Sequence, residues 1–351
     1  MMIPIDPLMK KMKDDGAPKS ACISFDQLYN AYQSSPSQYF PWQEVNALST
    51  SDYQENELEQ RRRQKVQARK NNLDQLAVIK LNGGLGTSMG CEDPKALIKI
   101  DREQNFLDQI IKNQHQMRQD YLETIPLILM NSFYTDKKIK QYLQNNYSSN
   151  DINSFQQHRF PRINQATGQP FAYPEFPDKE WNPAGHGNIY IALESSGVLD
   201  TLLAEGKEVA FISNIDNLGA RIDPIILDYF IENRFDFMLE VAPKIPADKK
   251  GGTIIKYNDQ FTLLERAQVQ PSHYTEFEDT SIFPIFNTNS LWINLVSLKE
   301  KLRNQDLKLP VIINPKTVNG TGVIQLETAM GAAISQFNHS GLIYVDRSRF
   351  L

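Results

Sequence analysis

The stretch LAVIKLNGGLGTSMG, Leu76 to Gly90, decides how the chain reads. Its first half, LAVIKL, is a short apolar run of the kind a parallel sheet buries on both faces. Its second half, Asn82 to Gly90, holds four glycines within eight positions: Gly83, Gly84, Gly86 and Gly90. Glycine admits positive φ and lets backbone come close to a ligand. Successive N–H groups then make a nest for anionic oxygens. Thr87 and Ser88 add hydroxyl donors, and Lys95 just beyond adds a positive charge. A turn without ligand explains a single Gly-Gly pair. The full set after a buried strand points to polyphosphate.

Register separates this loop from two others. A dinucleotide fingerprint on Gly84 and Gly86 needs Gly or Ala at position 89, where Met89 stands. A Walker loop needs two glycines five apart followed by Lys and Ser or Thr, and the chain has no such pair. An NAD-dependent oxidoreductase and a P-loop enzyme are both disfavoured.

Outward from the loop the pattern is α/β. Phe106 to Tyr121 suits a helix, with Phe106, Ile110, Met117 and Tyr121 near helical spacing. Further strands are expected at Pro126–Met130, Val209–Ser213 and Phe237–Val241, with a helix through Gln141 after the first of these. Asp223-Pro224 supplies an N-cap and a first-turn proline for the helix IILDYFIEN. Strands separated by helices predict a doubly wound, mixed but mostly parallel sheet. Upstream, Asp52 to Asn72 is polar, free of Gly and Pro, and reads as an exposed helix. Its run Arg61-Arg62-Arg63 suits an acidic partner, although such runs are more often solvated faces. Phe160 to Gly187 holds five prolines and reads as a long loop over a site.

Composition bounds the function classes. Net charge is −5, so no charge imbalance argues for nucleic acid. The chain has no apolar run near eighteen residues and no secretory pattern at its start, so no membrane contact and a cytoplasmic place are expected. Cys22 and Cys91 are the two cysteines, too few for a disulfide framework.

KLNGGLGTSMG followed by Pro94-Lys95 resembles the signature of the eukaryotic-type UTP–glucose-1-phosphate uridylyltransferases. The resemblance continues in order through PLILMNSF, FQQHRFPRIN, PAGHGNIY, SNIDNLGARID, KGGT, LLERAQV, FNTNSLWINL and VIQLETAMGAAI, and covers roughly Leu76 to Leu351. It implies a nucleotidyltransferase core, Rossmann-like and GT-A-like, over residues 76–351, with a helical N-terminal extension over residues 1–75. It implies transfer of UMP from UTP to glucose-1-phosphate, giving UDP-glucose and pyrophosphate. The alternative is a nucleotide-binding pseudoenzyme or regulator of the same fold with little turnover.

The resemblance also assigns roles. Leu81, Asn82, Gly83, Gly84, Gly86 and Thr87 meet the nucleotide, with Gly185 and Asn214 beside them. Lys95 and His186 are the catalytic pair, neutralising UTP phosphates and donating to a phosphate oxygen. Gln157 reads uracil, because an amide complements its O4 and N3–H edge; Gln156 is the neighbouring choice. Asp216 holds Mg²⁺, which takes hard oxygens with phosphates completing its shell. Gly252, Glu265, Asn287 and Asn289 receive the sugar, His186 its phosphate, and Lys316 is a further phosphate contact. Without the resemblance, FNTN reads as an Asn-rich turn at a strand end. Arg159 and Arg162 fix loops, and Trp292 packs.

A phosphate monoester is already ionised at neutral pH, so the implied in-line attack on the α-phosphorus needs no general base and no covalent intermediate. Positioning and charge neutralisation do the catalysis. Asn188 stands where the family usually has Asp, and Glu92-Asp93 precedes Pro94 where it usually has Gly. Family members continue past the stretch resembling SRFL into another phosphate-contacting lysine and a β-helix domain used in assembly. Neither lies within these residues, so the expectation is either a truncated form or a natural short version with altered activity, and a monomer.

Overall fold

The LAVIKL run becomes a strand buried at every position. The computed structural model describes residues 5–34, 39–64, 70–86, 93–147 and 152–350. Within them, one sheet is built from β1 (Leu76–Asn82), β2 (Leu127–Asn131), β3 (Ile152–Gln156), β4 (Val209–Asn214), β5 (Phe237–Pro243), β6 (Ile285–Asn294) and β7 (Ser340–Tyr344). Their order is β7-β5-β6-β4-β1-β2-β3. β6 runs antiparallel to β4 and β5, and every other neighbouring pair is parallel. The sheet is therefore mixed and mostly parallel.

Both faces are covered. Ala77, Ile79 and Leu81 of β1 enter one apolar cluster with Ile212 and Leu291, while Leu76 and Val78 enter another with Phe211 and Trp292. This period-two partition is what a strand buried on both sides produces. Trp292 is fully buried, stacks 4.5 Å from Phe211 and donates its indole N–H to Glu240, so it packs.

The strand order places a ligand crevice. From β1 the chain moves outward to β2 and β3, then returns to place β4 on the other side of β1. The loops leaving β1 and β4 diverge at that switch of direction, which opens a cleft at the carboxyl ends of the strands.

The helices follow their signals closely. The helix Phe106–Tyr121 carries a capping box between Asn105 and Asp108. Its buried stripe is Leu107, Ile110 and Ile111, shifted from the spacing expected through Met117 and Tyr121. The helix Pro224–Glu232 starts on Asp223, whose carboxylate accepts from the Ile225 amide.

Four expectations need correction. The helix expected over Asp52–Asn72 is replaced by a turn, then Glu57–Arg63, and further on Lys70–Leu73; residues 65–69 lie outside the described residues. Its arginines face this chain's own acids. Arg61 bonds Glu57 and Glu232 and covers the Tyr229 ring, while Arg62 bonds Asp223. The proline-rich segment is not one loop. Arg159–Pro161 pairs with Trp181–Pro183, a two-stranded ribbon whose open edges tolerate proline. FNTN is not a strand end: Asn287 and Asn289 lie inside β6, at a bulge that shifts the register between Asn287 and Ser290.

The first 75 residues are not all helical. The helices Asp6–Asp14 and Lys19–Ser34 share an apolar cluster with Phe160, Trp181, Ile324 and Leu326. Asn46–Ala47 is a strand that pairs antiparallel with Thr253–Tyr257, in a small sheet completed by Gln260–Leu264. Among the described residues no helix is long and apolar enough to cross a membrane.

Candidate active site

At the carboxyl ends of β1 and β4 a cleft of about 350 Å³ brings together Leu81, Gly83, Gly84, Lys95, Gln157, Gly185, His186, Asn214, Asp216 and Asn289. All ten are sequence-nominated. Size does not distinguish this cleft, because a groove of about 390 Å³ lies behind Gly187 and Asn188. Its convergent amides, imidazole and ion pair do.

The loop after β1 is carried from beneath. Asn82 is fully buried: its amide donates to Asn131 Oδ1 at 2.8 Å, and Asn131 donates to Asp136 at 2.9 Å. The Thr135 hydroxyl donates to the Asn82 carbonyl at 2.7 Å, and that of Ser132 to the Gly83 carbonyl at 2.8 Å. Asn82 therefore sits under the cleft floor and is not part of its lining. Gly86 is also buried, donating to the Asp93 carbonyl at 2.9 Å. Thr87, Ser88, Cys91 and Glu92 lie outside the described residues. Asp93 pairs with Lys138, which offsets one of the two acids before Pro94.

Gly83 stands in close approach to Gln157. A Cβ there would run into the amide nitrogen of Gln157. Gln157 is held by its backbone N–H on the Asn131 carbonyl at 2.8 Å, and its side-chain Oε1 is buried without a partner. An unsatisfied buried acceptor is costly, about 1–3 kcal/mol, which favours a donor brought by a ligand.

Lys95 reaches the cleft because its N–H bonds the Gly84 carbonyl at 3.1 Å and its stem lies along Gly84. Its ammonium meets Asp216 Oδ2 at 2.8 Å, with each side chain about a third exposed (29% and 31%). A pair this open adds about 1 kcal/mol or less to stability. It leaves both charges available to a ligand.

His186 follows Gly185, which holds φ +88° and packs against the Thr328 backbone. Gly187 donates to the Thr328 carbonyl at 2.8 Å. The ring keeps some exposure to the cleft, but surrounding protein pushes its pKa down to about 4, so it is neutral at pH 7. Its Nδ1 accepts the Met330 N–H at 3.2 Å, which leaves the proton on Nε2. Asn188 is buried and accepts the His158 amide at 2.8 Å. An amide there pins the link that carries Gln157, between β3 and Arg159–Pro161, without bringing charge.

A second group adjoins the first. Gly252 lies against the Glu265 carboxylate, and its carbonyl accepts the Asn287 N–H at 2.8 Å. Burial raises the Glu265 pKa. Asn287 donates to Asn289 Oδ1 at 3.0 Å and accepts the Asn289 N–H at 3.1 Å. Asn289 takes φ +54° at the bulge, a conformation Asn tolerates better than most residues. It joins this group to the cleft. Lys316 does not line the cleft and is exposed on the hairpin Ile312–Glu327.

The sequence reading missed Glu327, which lines the cleft at the end of that hairpin. Burial raises its pKa, while an Asn314 hydrogen bond and the charges of Lys316 and Arg162 oppose the rise. Its only sequence signal was a place inside the block VIQLETAMGAAI. Ser132 and Thr135 were missed too, because they act through loop carbonyls.

Residues 22–351 match the model of the family described as UTP–glucose-1-phosphate uridylyltransferase. The chain is 46% identical over 288 residues to the enzyme of that name from Musa acuminata, covering 82% of this chain and 62% of the relative. It is 47% identical over 279 residues to UTP–glucose-1-phosphate uridylyltransferase 2 of Dictyostelium discoideum, covering 79% and 56%. The chain thus spans about 56–62% of the length of these curated relatives. A Trypanosoma brucei UDP-glucose phosphorylase structure superposes with TM-score 0.89 at 36% identity, over 98% of this chain and 75% of that one. A Leishmania major UDP-glucose pyrophosphorylase variant in complex with UDP-glucose gives TM-score 0.89 at 33% identity, over 100% and 77%. With that much of its length matched, and with its cleft at the switch point of the same sheet, the chain belongs to the UTP–glucose-1-phosphate uridylyltransferase family.

Proposed function

We propose that the chain transfers UMP from UTP to glucose-1-phosphate, releasing pyrophosphate. One observation carries this reading most: Lys95 and Asp216 meet at 2.8 Å in the same cleft as Gly83 and the unpartnered Gln157 amide. The relatives' names and the UDP-glucose complex support it.

In this reading Gln157 takes the uracil edge, with its orphan Oε1 accepting N3–H, while Gly83 and Gly84 admit the nucleoside against backbone. Lys95 neutralises the triphosphate as negative charge shifts to the leaving pyrophosphate. His186, neutral with its proton on Nε2, donates to a phosphate oxygen without adding charge. Glu265, Asn287 and Asn289 receive sugar hydroxyls, each of which both donates and accepts. Glucose-1-phosphate attacks as an anion, so the residues orient and neutralise and none needs to take a proton.

The donors present suit a divalent cation bound together with nucleotide. Among the described residues, no group of three or more His, Cys, Asp or Glu side chains converges into a cage. Asp216 offers a partly exposed carboxylate beside the place for phosphate. Mg²⁺ is commonly held this way, by one or two carboxylates with phosphates and water completing its shell. Such an ion supplies charge stabilisation to the phosphoryl oxygens. Lys316 is a more distant phosphate contact in this reading, outside the cleft itself.

The test is pyrophosphate release from UTP and glucose-1-phosphate, with and without Mg²⁺. Lys95→Ala is expected to lower kcat by about 100–1000-fold. Equal rates in both proteins would remove Lys95 from the mechanism. Calorimetric UTP binding without any pyrophosphate release would favour the pseudoenzyme alternative.

A further inference from the structure

On the face of β1 that meets Phe211, Lys80 interrupts an apolar row at 3% exposure. Burial lowers its amine pKa to about 7; the nearby charge of Arg349 adds to this, while Glu240 and Asp216 oppose it. An apolar side chain of similar length would fill the place without desolvating an amine. The structure shows what the amine does. It donates to Ser213 Oγ at 2.6 Å and to the Ala220 carbonyl at 2.9 Å. Ser213 is near the end of β4, and Ala220 closes the loop that follows. Asn214 and Asp216 lie between these two anchors.

A brace holds the same loop from the other side. Asn217 donates to the Arg349 carbonyl at 3.1 Å, and Gly219 packs so tightly on Ser348 that a Cβ would strike its carbonyl oxygen. The Arg349 guanidinium grips buried Glu240 with bonds of 2.6 and 2.9 Å and donates to the Arg221 carbonyl at 2.9 Å. A two-point grip by a planar guanidinium fixes direction as well as distance. The loop is thus stapled from beneath by a lysine and clamped from outside by an arginine.

We propose that Lys80 is a positioning residue for Asp216: by joining Ser213 to Ala220 it closes the intervening loop against the Arg349 brace and fixes where the carboxylate stands in the cleft. This rests on the reading of Asp216 as the protein's donor to a nucleotide-bound divalent cation. With so few protein donors, a small displacement of that carboxylate weakens cation binding directly. Groups that orient a metal's ligands typically change affinity by about 10–100-fold when removed.

The test uses the full chain and Mn²⁺ as probe, with free Mn²⁺ followed by electron paramagnetic resonance in the presence of UTP. Lys80→Met keeps the length of the side chain and loses the donors. It is expected to weaken Mn²⁺ binding by about tenfold or more, with UTP affinity in the absence of metal unchanged. Ser213→Ala removes one anchor and leaves the lysine, and is expected to weaken Mn²⁺ binding by about threefold. Wild-type Mn²⁺ affinity in folded Lys80→Met overturns the proposal. So does equal loss of metal-free UTP affinity, which marks general damage to the site. If Lys80→Met does not fold, Ser213→Ala decides alone, and wild-type Mn²⁺ affinity there overturns it. The measurement needs no turnover, so a chain that releases no pyrophosphate would overturn the proposed reaction while the cation affinity still decides the role of Lys80.

Discussion

At the Gly83 end of the cleft, backbone forms the surface and side chains work underneath it. Ser132 and Thr135 hold the loop carbonyls from below, and the Asn82 side chain is anchored on Asn131. At the Asn287 end the materials are exchanged: in the proposed reading Asn287, Asn289 and Glu265 are themselves the binding groups, and a backbone bulge presents the two asparagines. In that reading the first end selects mainly by shape, because a Cβ at Gly83 would collide with the Gln157 amide. In the same reading the second selects mainly by hydrogen bonding, because mismatched groups would be left unpaired. The two ends should therefore fail differently.

The largest effect is expected at the first end. Gly83→Ala sets a methyl against the Gln157 amide. It should weaken UTP binding by about 100-fold in calorimetry, since overpacking a tight contact costs about 1–3 kcal/mol. Wild-type affinity would show that Gln157 can yield and that shape does not govern this end. At the second end, Glu265→Gln keeps the volume and exchanges an acceptor for a donor. The KM for glucose-1-phosphate should rise about tenfold while UTP affinity stays the same. A matching loss of UTP affinity would erase the distinction between the ends.

The smallest effect tests the histidines near the first end by pH. Burial lowers the His158 and His186 pKa values from 6.5 to about 4. Between those values the unfolded chain binds protons that the folded chain does not, so stability falls as pH falls through that window. Tm should drop between pH 7 and pH 5. The drop should be smaller in His158→Gln, which cannot take up that proton when unfolded. Equal slopes would mean that His158 is not held neutral in the folded chain.

The sequence made the first end far more legible than the second. Gly83, Gly84, Lys95 and the buried strand stand within twenty residues of one another, and each is explained by local chemistry. The helix Phe106–Tyr121 was legible for the same reason, because spacing is a local property. Its buried stripe was less so, since which of several apolar residues turns inward depends on the sheet beneath. The second end is assembled from separate segments near 252, 265 and 287–289, and the bulge that aims Asn289 depends on pairing with β5. Only the family resemblance placed FNTN in a site. Glu327 and Lys80 were unread as functional residues because each is a lone charge in a block of otherwise uncharged residues. Their partners, Arg162 and Lys316 for one and Ser213 and Ala220 for the other, are brought by the fold.

The short strand Asn46–Ala47 has a consequence in time. Asn46 lies opposite Lys256, in the small sheet that carries Gly252 and Glu265 to the second end. A ribosome adding about 5–20 residues per second needs roughly 10–40 s to cover the span between them. Through that interval the early strand is out of the exit tunnel with no edge to join. The doubly covered strands β1 and β2, with the edge strand β3 beside them, can meet much sooner. In a newborn chain the loop after β1 can therefore be carried by β2 before the Asn287 end of the cleft is assembled.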